Sequence, residues 1–286
     1  MSTAAQWDRV FERLDALPPA PHILPKLLRV LAEPEVDVQQ VTDLITFDPG
    51  LAAKVLQLCN SAWMASATPV ADVAEAVSRL GLRCIYRLVA AVHGRVALRP
   101  SRPVAHFDPA RLWKHSVITA LAAQFLAKDR ALEESTVFTA ALLHDAGQVV
   151  FAQALGDRYG VLWRPGPNGF PVSEPVAQER AAWGTDHAQV GGRLLIHWQF
   201  PEPIAAGVAH HHQPDQAGSW AALAACVNLG EALALAIEGP PDSPVILQQN
   251  GAAEALRLLQ LSPDQLLRYR YLTLENFEFV NALCRL

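Results

Sequence analysis

The sequence predicts an all-α fold, a helical bundle in two lobes. Three observations predict it. Apolar side chains recur at the helical period in segment after segment, Asp-Pro pairs stand where helices would begin, and β-hairpin signals are nearly absent.

In chain order, Pro25–Ala32 reads as a helix. Asp37 caps the next, over VQQVTDLI, with Val38, Val41 and Ile45 on one face. Asp48-Pro49 opens a third, in which Leu51, Val55 and Leu58 recur at i, i+4 and i+7. Val70–Leu80 and Leu82–Val92 follow. The Asp-Pro device returns at Asp108-Pro109, opening a helix through Arg111, His115, Thr119 and Lys128. Ser135–Asp145, His187–Trp198, Pro203–His211 and Trp220–Ile237 also suit helices, whereas the Gly- and Pro-rich Trp163–Pro175 reads as a loop between them. No repeat of fixed period and no low-complexity tract interrupts this order.

Composition narrows the class. The 286 residues are 51 % hydrophobic and 18 % charged, which suits a packed core and excludes a disordered chain. Net charge is −5 and no run of Lys or Arg exceeds two residues, so the basic stripe required for direct nucleic-acid binding is missing. Cys59, Cys84, Cys226 and Cys284 form no CxxC pair and read as free thiols of a reducing compartment. MSTAAQWDRV lacks the pattern of a signal peptide. The apolar segment Ala221–Ile237, broken by Asn228 and Glu231, reads as a buried helix and not a membrane span. The expected location is the cytoplasm.

Histidine marks a boundary. Residues 1–96 form an N-terminal helical lobe; 97–286 form the second, entered through the proline-rich 97–109 and completed by C-terminal helices. Eight of the ten histidines lie between His106 and His212, so chemistry is expected in the second lobe. His22, His93, His106 and His197 read as ordinary core or interface residues. The others form an ordered set: His115 within a helix, His144-Asp145 at a helix end where Gly147 lets the chain turn, His187 with Thr185 placed to cap the helix that follows, and His210–His212. Imidazole and carboxylate suit Zn, Mn or Fe. Two blander readings stay open: the triple histidine as a solvated helix end, and the buried His and Asp as a metal-free hydrogen-bonded network.

The stretch LPPAPHILPKLLRVLAEPEVDVQQVTDLITFDPGLAAKVLQLCNSAW, followed by AVSRLGLRCIYRLVAA, LWKHS, ALLHDAGQVV, ERAAWGTDHAQVGGRLLIHWQFP and VAHHHQPD, resembles the HDOD family, the HD-related output domains. The resemblance covers roughly Leu14 to Asp215. It implies an all-α protein with an HD-domain-like second lobe, a signal-transduction module usually without demonstrated activity. The implied partners are other signalling proteins: cyclic-di-GMP enzymes, response regulators or kinases. Kinship with HD and HD-GYP phosphohydrolases implies His115, His144, Asp145, His187, His211 and His212 as metal ligands, the first four sufficing for one divalent ion (Fe, Mn or Zn), if any is held.

Four departures from the hydrolase pattern weigh against turnover. The distant Asp of those enzymes falls best at Asn228, a neutral ligand. The turn after the His-Asp pair ends in Gln148, where they carry Lys, and HQPDQAGS replaces GYP. Arg111 stands where some trinuclear members place Glu. A phosphodiesterase needs a metal to ionise water and positive charge to receive the oxyanion. The expected function is therefore a non-catalytic regulatory module with a degenerate site; the alternative is a metal-dependent phosphohydrolase of a nucleotide or cyclic dinucleotide.

Overall fold

The computed structural model describes Trp7, Val10, Phe11, Pro18 and residues 20–60, 69–163, 175–239 and 251–284. The fold is 76 % helical, and no strand occurs among the described residues.

The first lobe runs α1 (Ile23–Leu31), α2 (Val38–Thr46), α3 (Pro49–Cys59), α4 (Val73–Leu80) and α5 (Leu82–Ala97). Its starts are locally coded. Asp37 accepts from the Gln39 and Gln40 amides, Asp48 from Leu51, and Asp72 from Glu75, each satisfying amides that a helix leaves without an internal partner. Gly81, at φ 77°, makes the corner between α4 and α5, a conformation that a side chain would strain.

The second lobe runs α6 (Pro109–Asp129), α7 (Glu134–Leu142), α8 (Ala146–Leu155), the single turn α9 (Asp157–Gly160), α10 (Val176–Trp183), α11 (His187–His197), α12 (Glu202–Ala209), α13 (Ala221–Glu238), α14 (Ala252–Leu258), α15 (Pro263–Glu275) and α16 (Phe277–Cys284). The long pair α6 and α13 packs along its length at the centre, with α7, α12, α14 and α15 around it. By length and apolarity the stretch Pro214–Glu238 would pass for a membrane span, but 72 % of its apolar 18-residue window is buried inside the fold, so α13 is a core helix. The expected loop Trp163–Pro175 falls largely on 164–174, outside the described residues.

Helix α5 ties the lobes together. Its Tyr86 hydroxyl meets Thr139 of α7, Arg83 pairs with Glu134 at 2.9 Å, and Gly94 lets Leu142 and Trp113 approach closely. One continuous cluster of buried apolar side chains results, from Trp7 through Ile85 and Leu121 to Val280.

Candidate metal centre

Five pieces of the second lobe converge on one buried point, and two glycines make the convergence possible. A Cβ on Gly147 would lie 1.9 Å from the His187 carbonyl oxygen and 2.7 Å from the Gly191 nitrogen. Helices α8 and α11 therefore touch backbone to backbone, and their N-terminal ends, Asp145 and His187, lie side by side. Gly147 thus serves this contact inside α8; the turn expected of it is made by 143–145, where the Ala146 amide bonds the Leu143 carbonyl.

Helix α11 begins where Gly184, in the left-handed region at φ 67°, ends α10, and Asp186 caps it by accepting from Gln189. The cap expected at Thr185 is therefore one residue displaced. Arg180 fixes Asp186 at 2.6 Å.

All six residues expected as ligands meet here. His115, His144, Asp145, His187, His211 and His212 are between 0 % and 8 % exposed. In contrast His22, His106 and His197 face solvent, so they are not the core residues that were expected, and His93 is half-buried; none of the four joins the cluster. The first two ligands of a chain of contacts sit at the α7–α8 junction: Asp145 Oδ2 lies 3.3 Å from His144 Nε2, and Oδ1 lies 3.2 Å from His187 Nε2. His187 Nε2 in turn lies 3.0 Å from His212 Nε2. Three overlapping groups have their ligand atoms within 4.8 Å of one another: His115–His144–Asp145, His187–His211–His212, and His144–His211–Glu231.

Backbone carbonyls decide which ring nitrogen faces the cluster. His144 Nδ1 donates to the Ala141 carbonyl and His211 Nδ1 to that of Val208, both at 2.7 Å. In the neutral imidazole, the form that ligates a metal, each Nε2 is then a bare lone pair. His144 Nε2, His211 Nε2 and His212 Nδ1 are buried without a hydrogen-bond partner. Nitrogen lone pairs gathered in the buried interior beside Asp145 and Glu231 fit a divalent cation, which would satisfy them together.

Glu231 was not anticipated. It stands one helical turn after Asn228 on α13, and its Oε2 lies 4.0 Å from His211 Nε2 and 3.9 Å from His212 Nδ1. Asn228 instead donates its amide to the His211 carbonyl at 2.7 Å, holding the doublet's backbone. Two polar residues at i and i+3 in an otherwise apolar helix were the available signal. Two more carboxylates support the rings: Glu238 pairs with His115 Nδ1 and Glu179 with His187 Nδ1, both at 2.8 Å.

The field within the cluster pulls its members apart. Burial and the neighbouring His144 and His187 hold His211 well below the usual histidine range; burial, His211 and His187 do the same to His212. Burial also opposes charge on His187, but Glu179 and Asp145 outweigh it and raise its pKa to about 10. Asp145 is held well below the carboxylate range, the cost of its burial being outweighed by His144, His187 and His115.

In metal-free protein below pH 6.5, the unfolded chain protonates His211 and His212 while the fold refuses, so stability falls with acidification by about 1.4 kcal/mol per pH unit for each. Above pH 6.5 the fold keeps a proton on His187 that the unfolded chain releases, so stability falls again as pH rises toward 10. Urea midpoints of chelator-treated protein should peak near neutrality. A flat profile from pH 5 to 9 would contradict the coupling.

Residues 17–214 match the HDOD domain. A protein of Treponema pallidum (strain Nichols), described as uncharacterized, is 28 % identical over 207 residues; the match spans 71 % of this chain but 39 % of that relative's length. Among solved structures, an HDOD domain protein of unknown function from Geobacter sulfurreducens superposes with a TM-score of 0.78 at 23 % identity, over 99 % of this chain and 98 % of its own. A candidate phosphohydrolase from Shewanella amazonensis SB2B gives 0.72 at 23 % identity, over 96 % and 97 %. A candidate signal transduction protein from Marinobacter aquaeolei VT8 gives 0.76 at 21 % identity, over 99 % of this chain and 65 % of its own. At such identities the likeness establishes the shared helical fold. With the domain match running from the first lobe through the histidine doublet, the chain belongs to the HDOD family.

Proposed function

We propose that this chain is a non-catalytic signalling module that keeps an HD-type metal centre as part of its architecture and acts through contacts with other signalling proteins in the cytoplasm. Cyclic-di-GMP enzymes, response regulators and kinases are the partner classes the reading favours. One observation carries it. A turn from Asp145, where a hydrolase needs a cation to meet phosphate, stands the neutral Gln148, 3 % exposed. Its side chain carries no charge, and its Oε1 is buried without a hydrogen-bond partner. A neutral amide brings no positive charge to the non-bridging oxygens of a phosphodiester, where catalysis wants it.

A divalent ion held by His115, His144 and Asp145, with His187, His211, His212 and Glu231 beside them, would supply Lewis acidity and two units of positive charge. In this reading that charge offsets the buried carboxylates and fixes five chain segments in one arrangement. Glu231 favours the second reading, a metal-dependent phosphohydrolase, because it supplies an acidic group where Asn228 had suggested a loss.

One assay separates the two. Protein purified with Mn, Fe or Zn is expected to retain metal by elemental analysis. It should leave generic phosphodiesters and cyclic dinucleotides intact, at rates no higher than those of His144→Ala. Metal-dependent turnover that vanishes in both His144→Ala and Asp145→Ala would establish the hydrolase instead.

A further inference from the structure

Glu179 lies eight residues before His187 on α10 and is fully buried at 0 % exposure. A carboxylate removed from water needs its oxygens satisfied, since burying it otherwise costs several kcal/mol. Here both are. Oε1 accepts the Tyr159 hydroxyl at 2.7 Å, and Oε2 accepts both the His187 amide and its Nδ1–H, each at 2.8 Å.

The double grip on one residue is the telling feature. The His187 amide opens α11 and has no partner within the helix, so capping alone would account for one contact. The second contact does something a cap does not. It places the ring proton on Nδ1 and leaves Nε2 pointing the other way, 3.2 Å from Asp145 Oδ1 and 3.0 Å from His212 Nε2. His144 and His211 have their Nδ1 atoms held by backbone carbonyls, which are neutral. His187 alone of these three is held by an ionised-type group, which both orients the ring and raises its basicity as a donor to a cation.

The supporting frame is rigid. Gly184 closes α10 in the left-handed conformation, Asp186 caps α11, and Arg180 clamps Asp186, so the eight-residue path from Glu179 to His187 has little freedom. Tyr159 stands in an aromatic cluster with Phe151, Phe107 and Trp183, which fixes the far side of the carboxylate.

We propose that Glu179 is a positioning residue of the metal centre: it locks His187 in the Nδ1–H tautomer and turns Nε2 toward Asp145 and the other ligand atoms. The inference rests on the metal reading above and deepens it.

Cobalt(II) is the probe, because its visible absorption reports the ligand field. Full-length wild type should bind cobalt with d–d bands that Glu179→Gln shifts, while cobalt affinity falls about tenfold; Glu179→Leu, which also removes the acceptor, should lose about a hundredfold. Tyr159→Phe leaves the carboxylate on His187 and should keep the wild-type spectrum. A Tyr159→Phe loss as large as that of Glu179→Gln would reduce Glu179 to a structural member of the buried network and overturn the proposal. Should the Glu179 variants fail to fold, ¹⁵N spectra of histidine-labelled, zinc-loaded wild type decide it. The His187 proton is expected on Nδ1 and the metal on Nε2, and the reverse assignment overturns the proposal. Wild type that takes up no cobalt defeats the metal reading itself. Wild type that binds cobalt, with Glu179→Gln identical in affinity and spectrum, defeats only the role of Glu179.

Discussion

Gly147→Ala is expected to be among the most disruptive single-methyl additions to the second lobe. The new Cβ would sit 1.9 Å from the His187 carbonyl oxygen, and that atom belongs to backbone, so no rotamer change can relieve the clash. Ordinary contact begins near 3.4 Å, so α8 and α11 would have to part by more than an ångström. Two penalties then add. The seam between the helices loses its packing, and the 3.2 Å approach of Asp145 to His187 opens. A clash forced on a close-packed interior belongs to the class of substitutions costing more than about 4 kcal/mol. Gly218→Ala is the internal contrast. It meets nothing within 4 Å, and its cost is backbone strain alone: at φ 57° and ψ −123° it lies outside the left-handed helical well, a strain on the order of 1–3 kcal/mol. Urea unfolding of both variants tests the difference, with metal content as a second measure. Equal midpoints would mean that the two helices can separate without cost, and the architecture described here would be wrong at its centre.

That contact also shows where sequence reading stops. Helix starts such as Asp37, Asp48 and Asp108 are written locally, because a cap satisfies amides two or three residues away. The ordered histidines were legible for a different reason: their side chains have few uses in an alanine-rich interior. Gly147 was recognised as special but assigned to a turn, since nothing near it in sequence reveals that the neighbour it must admit is His187, forty residues on. Helix α8, AGQVVFAQAL, went unread because it is apolar nearly all round and has no face for a period to mark. Glu231 was visible only as a break in an apolar run. Its value came from the fold, which sets α13 against the end of α12 and brings its carboxylate to the doublet. Glu179 had no distinguishing signal at all: a glutamate in a short helix is usually solvated, and only its complete burial marks it.

Asp145→Ala should strip bound metal more thoroughly than Glu231→Ala, although both remove one carboxylate. Asp145 is the side chain that touches both halves of the cluster, with one oxygen 3.3 Å from His144 Nε2 and the other 3.2 Å from His187 Nε2. Glu231 groups with His144 and His211, and lies 3.9 Å or more from the doublet's nitrogens. A structural zinc site of about four ligands is worth roughly 10–16 kcal/mol, so one ligand carries on the order of 3 kcal/mol, or about a hundredfold in affinity. Loss of Glu231 should therefore weaken zinc binding about a hundredfold, with occupancy recovering at high zinc. Loss of Asp145 acts on both sides at once, and it also removes the anion that faces the buried His187 Nε2, leaving that ring only Glu179 on its Nδ1 side. Breaking a buried ion pair of this kind costs about 3–5 kcal/mol in the metal-free protein, so the variant should be the less stable of the two even after chelation. Zinc titration calorimetry combined with urea midpoints, both with and without chelator, separates these effects. If Asp145→Ala kept wild-type stoichiometry while Glu231→Ala lost all binding, the ion would sit against α13, and the His144-Asp145 pair would be a hydrogen-bonded hinge for α7 and α8 and no ligand.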